Sequence, residues 1–142
     1  MALQWDESLM LGFGEIDNQH KLIFKHYNKL AEANSLGVSK EEIRELIDFL
    51  FDYCIVHFIS EERIMHDYDY PNVKRQQQEH GEFTSLASYI IKRFEQEDSS
   101  EGITALIREK LYAWIFHHIN EHDKNMVEYI KEYIALRKKY EK

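Results

Sequence analysis

A histidine and a glutamate stand where an apolar helix face is expected, in the stretch C-I-V-H-F-I-S-E-E that begins at Cys54. His57 and Glu61 lie four residues apart in it. The same helical line carries Leu50, Cys54 and Met65. Because side chains four apart share one face of a helix, this imidazole and this carboxylate are predicted to point into a core. Burying an ionised carboxylate costs several kcal/mol unless it is paired or bound to a metal ion.

Other segments place polar side chains on their apolar lines in the same way. These side chains are His20, Gln76, His80 and His118. Asp123 follows five residues after His118, where an ideal helix has turned by about 140°, so Asp123 needs a bend or its own side-chain reach to face inward. One histidine on an apolar face is usually a core residue with a single hydrogen bond. Four imidazoles and two carboxylates converging at one depth are better explained as metal ligands.

The number and chemistry of these side chains predict a centre with two metal ions. Imidazole suits iron, zinc and copper, and a carboxylate can bridge two ions about 3.5–4 Å apart. Six or more ligands are too many for one four-coordinate zinc ion, and they suit two octahedral ions that share both carboxylates. The alternatives are a single metal ion or a structural polar network.

An irregular arm and four amphipathic helices are predicted to position these residues. The arm runs from Met1 to about Ile16, and Asp17 is predicted to cap the first helix. Ser39 and Glu42 form an S-x-x-E capping box for the second helix.

The D-Y-D-Y-P stretch is predicted to end the second helix, and Pro71 suits the first turn of the third. Polar residues 95–101 form the last turn and loop before a fourth helix, with a bend expected near residues 120–125 and helical pattern continuing to Leu136. No segment alternates with period two over a useful length. The predicted fold class is all-α: an antiparallel up-down four-helix bundle with an irregular N-terminal arm and a helical C-terminal extension.

Composition and charge exclude several classes of function. Residues 1–142 suffice for a single domain with its own core. A net charge of −8 repels phosphate backbones and anionic lipid, and no apolar run is long enough to span a bilayer, so neither nucleic acid nor a membrane is an expected partner. The lone cysteine and the lack of a visible signal peptide favour the cytoplasm. No nucleotide motif or nucleophile–base pair supports hydrolase or transferase chemistry.

Several separately spaced motifs resemble those of the hemerythrin family, and of bacterial hemerythrins in particular. The resemblance covers nearly the whole chain. It is carried, in order, by W-D-E-S-L at 5–9, E-I-D-N-Q-H at 15–20, H-F-I-S-E-E at 57–62, Y-P at 70–71, E-H-G-E-F at 79–83 and W-I-F-H-H-I-N-E-H-D at 114–123. It implies a non-haem di-iron protein that binds dioxygen reversibly, for storage, delivery or sensing.

The resemblance also implies roles for the inward side chains. His20 and His57 resemble the two imidazoles on one iron, where the family binds dioxygen at an open position. His80 and His118 resemble two of the three imidazoles on the other iron. The bridging carboxylates are matched by Glu61 and Asp123.

An apolar wall is expected to keep water from the bound gas. Its candidates are Ile23, Leu50, Phe58 and Trp114, each of which is equally well explained as ordinary core. The remaining histidines include His26, His66 and His117, which lie off the inward lines and are expected to be solvated.

One position departs from the family pattern. The third helix of the family carries H-x-x-x-H, and the first of these histidines is replaced here by Gln76. Three outcomes are open: the amide oxygen coordinates weakly, water fills the gap, or another histidine moves in, with His122 as the candidate. An extra open position on iron favours an alternative function, a di-iron peroxidase or oxidase that takes peroxide and an unidentified electron donor. A sensor module and a store of iron or zinc are further interpretations.

Overall fold

Four helical runs make up the described part of the chain, which comprises residue 5 and residues 7–33, 37–96 and 100–140 of a computed structural model. A short 3-10 turn at Glu7–Leu9 precedes α1 at Gly14–Glu32, α2 at Lys40–Asp67 and α3 at Val73–Gln96. Met1 and residues 97–99 of the predicted loop lie outside the described residues. No strand occurs within the described ranges, and the predicted all-α four-helix bundle is confirmed.

The fourth helix is one uninterrupted run built from five segments. Two π-helical segments alternate with three α-helical ones. In order they are α4 at Ser100–Leu106, a π segment at Ile107–Leu111, α5 at Tyr112–His117, a π segment at His118–Asp123 and α6 at Lys124–Tyr140. The expected bend near residues 120–125 is therefore a widened helical turn, and the backbone stays in the right-handed helical region at both of its ends.

Asp17 does not cap the first helix, and that prediction is wrong. The helix begins three residues earlier, at Gly14, after an extended Phe13 whose side chain makes no cap. Asp17 is 1% exposed, and its carboxylate accepts hydrogen bonds from the backbone N–H groups of Leu11 at 2.8 Å and Gly12 at 3.0 Å. The carboxylate therefore fastens the end of the arm onto the first turn. Both a cap and this arrangement place an acid near a helix N-terminus, which is why the sequence does not separate them.

The later helix starts follow their sequence signals more closely. Ser39 precedes α2, and its hydroxyl accepts from the backbone N–H of Glu42 at 3.2 Å, which confirms the capping prediction. Pro71 lies two residues before α3 rather than inside its first turn. The carbonyl of Asn72 accepts from the backbone N–H of Gln76 at 3.2 Å, so the helical hydrogen bonds start immediately after the proline.

Two clusters of buried apolar side chains fill the interior, and a polar layer separates them. On α1, His20 falls between Ile16 of the smaller cluster and Ile23 of the larger one. On α2, Glu61 falls in the same way between Phe58 and Ile64. The fourth helix repeats this arrangement, with Asp123 between Ile119 and Met126. Within the described ranges, no helix is both long and apolar enough to cross a bilayer.

Candidate metal centre

The six side chains predicted as ligands meet in this polar layer. None is more than 7% exposed, although all six are ionisable. They fall into two groups, and within each group the donor atoms lie within 4.8 Å of one another. One group is His20, His57 and Asp123, and the other is Glu61, His80 and His118.

In the first group, both imidazoles approach the same carboxylate oxygen. The Nε2 atom of His20 lies 2.8 Å from Oδ2 of Asp123, and Nε2 of His57 lies 3.5 Å from that oxygen. The other oxygen of Asp123 lies 3.1 Å from Nε2 of His118, which belongs to the second group. The two oxygens of one carboxylate therefore face imidazoles of both groups.

Glu61 connects the groups from the opposite helix. Its Oε1 atom lies 3.4 Å from Nε2 of His80 and 3.4 Å from Nε2 of His118. The same oxygen lies 3.0 Å from Nε2 of His57, one turn earlier on α2. Glu61 and Asp123 thus both have the placement that bridging two cations requires.

The π segment at His118–Asp123 explains how Asp123 faces inward. In a π turn the backbone hydrogen bond joins residues five apart, which brings them onto nearly the same side of the helix. His118 and Asp123 are the first and last residues of this segment, and both are buried. Regular α-helical spacing would have turned Asp123 away from the layer.

The buried charges of this layer shift one another's pKa values. Burial by itself would lower the pKa of His57, but the adjacent carboxylates of Glu61 and Asp123 outweigh it and raise that pKa to about 9. The pKa of His118 is raised well above its usual range for the same reason, against the same effect of burial. Burial and Asp123 would raise the pKa of Glu61, yet the adjacent imidazoles lower it to about 2. At His20 burial prevails and lowers the pKa.

Several buried donor atoms have no hydrogen bond to any described residue. They are Nε2 of His57 and of His80, Oε2 of Glu61 and Oε1 of Gln76. Buried polar atoms without a hydrogen bond are uncommon in folded proteins. A set of imidazole nitrogens and carboxylate oxygens turned toward one another is a donor set that fits bound transition-metal ions. The residues of this layer therefore fit a two-metal centre.

Sequence reasoning missed two neighbours of the imidazoles, one that forms a hydrogen bond and one that approaches without forming one. Nδ1 of His57 donates to Oε1 of Gln19, whose own amide donates to Oγ of Ser60 at 3.0 Å. Nδ1 of His118 lies 3.6 Å from Oε1 of Glu79. The hydrogen bond on Nδ1 of His57 leaves its Nε2 free to bind a cation. The only signal in the sequence is that Gln19 and Glu79 each immediately precede a predicted ligand.

Gln76 lies inside the layer, and its amide contacts one of the carboxylates. It is 1% exposed, and its Nε2 atom donates to Oδ1 of Asp123 at 3.1 Å. The structure places His122 on the outer side of His118, with Nε2 at 3.2 Å from Oε1 of Glu79. Of the three outcomes for this position, replacement by His122 is therefore wrong.

A small cavity adjoins both groups, at His57 and at His118, from the side of the larger apolar cluster. It has room for about 10 Å³, close to the volume that one water-sized molecule needs. Three of the four candidate wall residues, Ile23, Phe58 and Trp114, line this cavity, whereas Leu50 does not and is buried in the apolar core. The remaining lining residues are Cys54, His57, Ile115, His118 and Ile119.

Two aromatic rings of this wall also fix imidazole planes. Phe58 stacks on His80 with centroids 4.1 Å apart, and Trp114 stacks on His118 at 4.6 Å. Of the histidines expected to be solvated, His66 and His117 are exposed. His26 is half-buried.

Metal binding is expected to release about two protons per chain near pH 7, one each from His57 and His118, because a ligating imidazole must be deprotonated. Because the pKa of His57 is about 9 and the pKa of His118 is raised, both rings are in the cationic imidazolium form in the metal-free protein at that pH. Metal affinity should therefore strengthen as pH rises from 6 to 8. Calorimetry in two buffers of different ionisation enthalpy measures the proton release. Heats that do not depend on the buffer would contradict this expectation.

Comparison with known proteins gives consistent matches over most of the chain. The family described as "Hemerythrin HHE cation binding domain" matches residues 11–130. The bacteriohemerythrin of Stenotrophomonas maltophilia is 29% identical over 132 residues, which are 93% of this chain and 84% of that protein. The bacteriohemerythrin of Pseudomonas aeruginosa is 32% identical over 129 residues, which are 91% of this chain and 82% of that protein.

Solved structures match the fold as well. A crystal structure of wild-type hemerythrin superposes with a TM-score of 0.77 at 27% sequence identity. The match covers 92% of this chain and 98% of the solved one.

Proposed function

Because this chain belongs to the hemerythrin family, we propose that its polar layer holds two iron ions and that the protein binds dioxygen reversibly. The observation that carries the proposal is the sharing of carboxylates. Glu61 and Asp123 each lie within 3.5 Å of imidazoles from both donor groups. The proposed ligands are His20, His57, Glu61, His80, His118 and Asp123, with the amide of Gln76 as a weak seventh.

The two iron ions would supply the electrons that reversible dioxygen binding needs. The first group offers only two imidazoles and one carboxylate besides Glu61, so a position is left for a gas molecule. The small cavity reaches this group at His57 and the second group at His118, and its other lining residues are mostly apolar, which keeps water away. Storage, delivery and sensing of dioxygen are all served by such a site.

The visible spectrum under air and then under argon tests the proposal. A charge-transfer band that forms in air and disappears on deoxygenation, with about two irons per chain by metal analysis, is the expected result. Absence of iron and of any such band at every stage of purification would overturn it. Zinc in place of iron, again with no band, would indicate metal storage without gas chemistry.

Gln76 favours a second candidate function, that of a di-iron peroxidase or oxidase. The family pattern has a histidine at this position, and the amide of Gln76 donates to Oδ1 of Asp123 at 3.1 Å. A neutral amide oxygen is a poorer donor than imidazole, so the iron beside His80 and His118 would keep a more exchangeable position. Peroxide could enter there, given an electron donor whose identity is open. Rapid consumption of added peroxide, with no reversible band in air, would favour this function.

Replacing Gln76 with histidine is expected to slow both irreversible oxidation in air and peroxide consumption by about tenfold, the lower range for changes around a metal centre. The new imidazole would fill the exchangeable position. Stopped-flow absorbance measures both rates in the iron-loaded protein. Gln77→His is the matched control, because Gln77 is the exposed neighbour on α3. Identical kinetics in Gln76→His and the parent protein would remove the reason for the second candidate.

We also propose that residues 1–142 form one domain that works in the cytoplasm. Cys54 is buried and is the single cysteine of the sequence, so it forms no disulfide within the chain, which suits a reducing compartment. The net charge of −8 gives anionic nucleic acid and lipid surfaces no attraction to the protein.

A further inference from the structure

A second group of metal-binding side chains lies on the outer side of His118, separate from the polar layer. We name it the outer triad: Glu79 on α3, His117 on α5 and His122 in the π segment that follows. One donor atom from each of the three lies within 4.8 Å of the other two. Glu79 and His122 are buried, and His117 is exposed, so the triad opens to solvent on one side.

His122 points into this group and lacks a hydrogen bond there. It is 7% exposed, and its Nε2 atom has no hydrogen bond to any described residue. Oε1 of Glu79 lies 3.2 Å away. The ring of His117 meets that of His122 edge to face, with centroids 5.4 Å apart. A buried imidazole nitrogen facing a carboxylate and a solvated imidazole is the arrangement that an entering cation needs.

The π segment that turns Asp123 inward also assembles the outer triad. His117 and His122 are five residues apart, as His118 and Asp123 are, but shifted by one position. Regular α-helical spacing would separate the second residue of each pair by about 140° from the first. The widened turn brings both pairs together, one on the inner side of the helix and one on the outer side.

We propose that the outer triad is a second, solvent-accessible binding site for a divalent transition-metal ion. Two imidazoles and one carboxylate form a three-ligand set of the kind that holds zinc with water in the fourth position. Ni²⁺ and Cu²⁺ share this preference for imidazole, so the site is defined by the class of ion. Oε2 of Glu121 lies 3.3 Å from Nε2 of His117 and offers a further carboxylate at the open side.

The outer triad is connected to the polar layer through one carboxylate. Oε1 of Glu79 lies 3.2 Å from Nε2 of His122 and 3.6 Å from Nδ1 of His118. A cation in the triad would draw this oxygen away from His118, whose Nε2 faces Glu61 and Asp123. Ligand orientation in the inner layer would then respond to the outer ion. The three side chains of the outer triad all lie outside the inner donor groups, so the proposed site stands whichever metal the inner layer holds.

Titration of the purified protein with Zn²⁺ tests the proposal, using equilibrium dialysis to count sites and measure their affinities. His117→Gln is expected to weaken one zinc site by more than about tenfold, since it removes one of three ligands. His66→Gln is the matched control: His66 is likewise exposed, with a single carboxylate, Asp67, at 3.7 Å. It should leave every zinc affinity unchanged.

Two more variants separate the outer triad from the inner layer. Glu79→Gln should weaken the same site as His117→Gln, whereas His20→Gln, which removes an inner donor, should leave that site intact. The melting temperature of each variant shows whether the fold survives. Equal losses in His66→Gln and His117→Gln would mean that zinc binds surface histidines at random. Loss of the site in His20→Gln would place the zinc in the inner layer. Either result, or no loss in His117→Gln, overturns the proposal.

Discussion

Glu61→Gln is expected to lower the bound metal from about two ions per chain to fewer than one, because it removes one of the two shared carboxylates. Oε1 of Glu61 lies within 3.4 Å of Nε2 of His57, His80 and His118. An amide has nearly the same shape but no charge, so the loss reports electrostatics rather than packing. Metal affinity should fall by more than about 100-fold, beyond the upper range for outer ligands. Metal analysis after dialysis against a weak chelator measures both.

Glu62→Gln provides the control for this experiment. Glu62 is the next residue on α2 and is only half-buried, so the same chemical change is made away from the polar layer. It should retain the full metal content. A metal content that stays at the parent value in Glu61→Gln would show that this carboxylate is not a ligand, and the two-ion arrangement would need revision.

Removing the metal with a strong chelator is expected to lower the melting temperature by roughly 10 °C or more. A ligand that binds only the folded state stabilises that state by about 4 kcal/mol when its free concentration is about 1,000 times its dissociation constant. For a chain of this size, 1 kcal/mol shifts the melting temperature by about 2–4 °C. Circular dichroism at 222 nm, recorded with and without chelator, follows the change.

The expected fall in melting temperature comes from the buried charges of the polar layer. Without cations, Glu61 and Asp123 rely on protonated His57 and His118 for compensation, and burial opposes every one of these charged forms. The Glu61→Gln variant should melt at the same temperature with and without chelator, because little metal is bound to begin with. A parent protein equally stable in both conditions would mean that the layer needs no cation.

The four helices and the inward histidines could be predicted because both depend on local periodicity. His20, His57, His80 and His118 all follow the spacing of the apolar residues around them, so helical faces alone bring them together. The capping hydroxyl of Ser39 is equally predictable, since its partner is only three residues away. Local patterns carry this information in the chain itself.

Other features could not be predicted because they depend on backbone irregularity or on packing between helices. Asp123 faces inward through a π segment, and no spacing rule announces where a helix widens. The contacts of Gln19 and Glu79 need the relative rotation of neighbouring helices, to within a fraction of a turn. The sequence shows Gln76 as a departure from the family pattern, but the hydrogen bond from Gln76 to Asp123 joins two helices and is visible only in three dimensions.

The polar layer between the two apolar clusters also fixes how the helices align lengthwise. Apolar side chains tolerate sliding, since one methyl contact replaces another of similar energy. The contacts between helices from His20 to Asp123 at 2.8 Å and from Gln76 to Asp123 at 3.1 Å do not tolerate it, because a shift of one turn is about 5.4 Å. A helix displaced by one turn would leave an ionised group facing hydrocarbon. The residues that would hold metal therefore also fix the position of each helix along its axis relative to its neighbours, which apolar packing alone would leave less well defined.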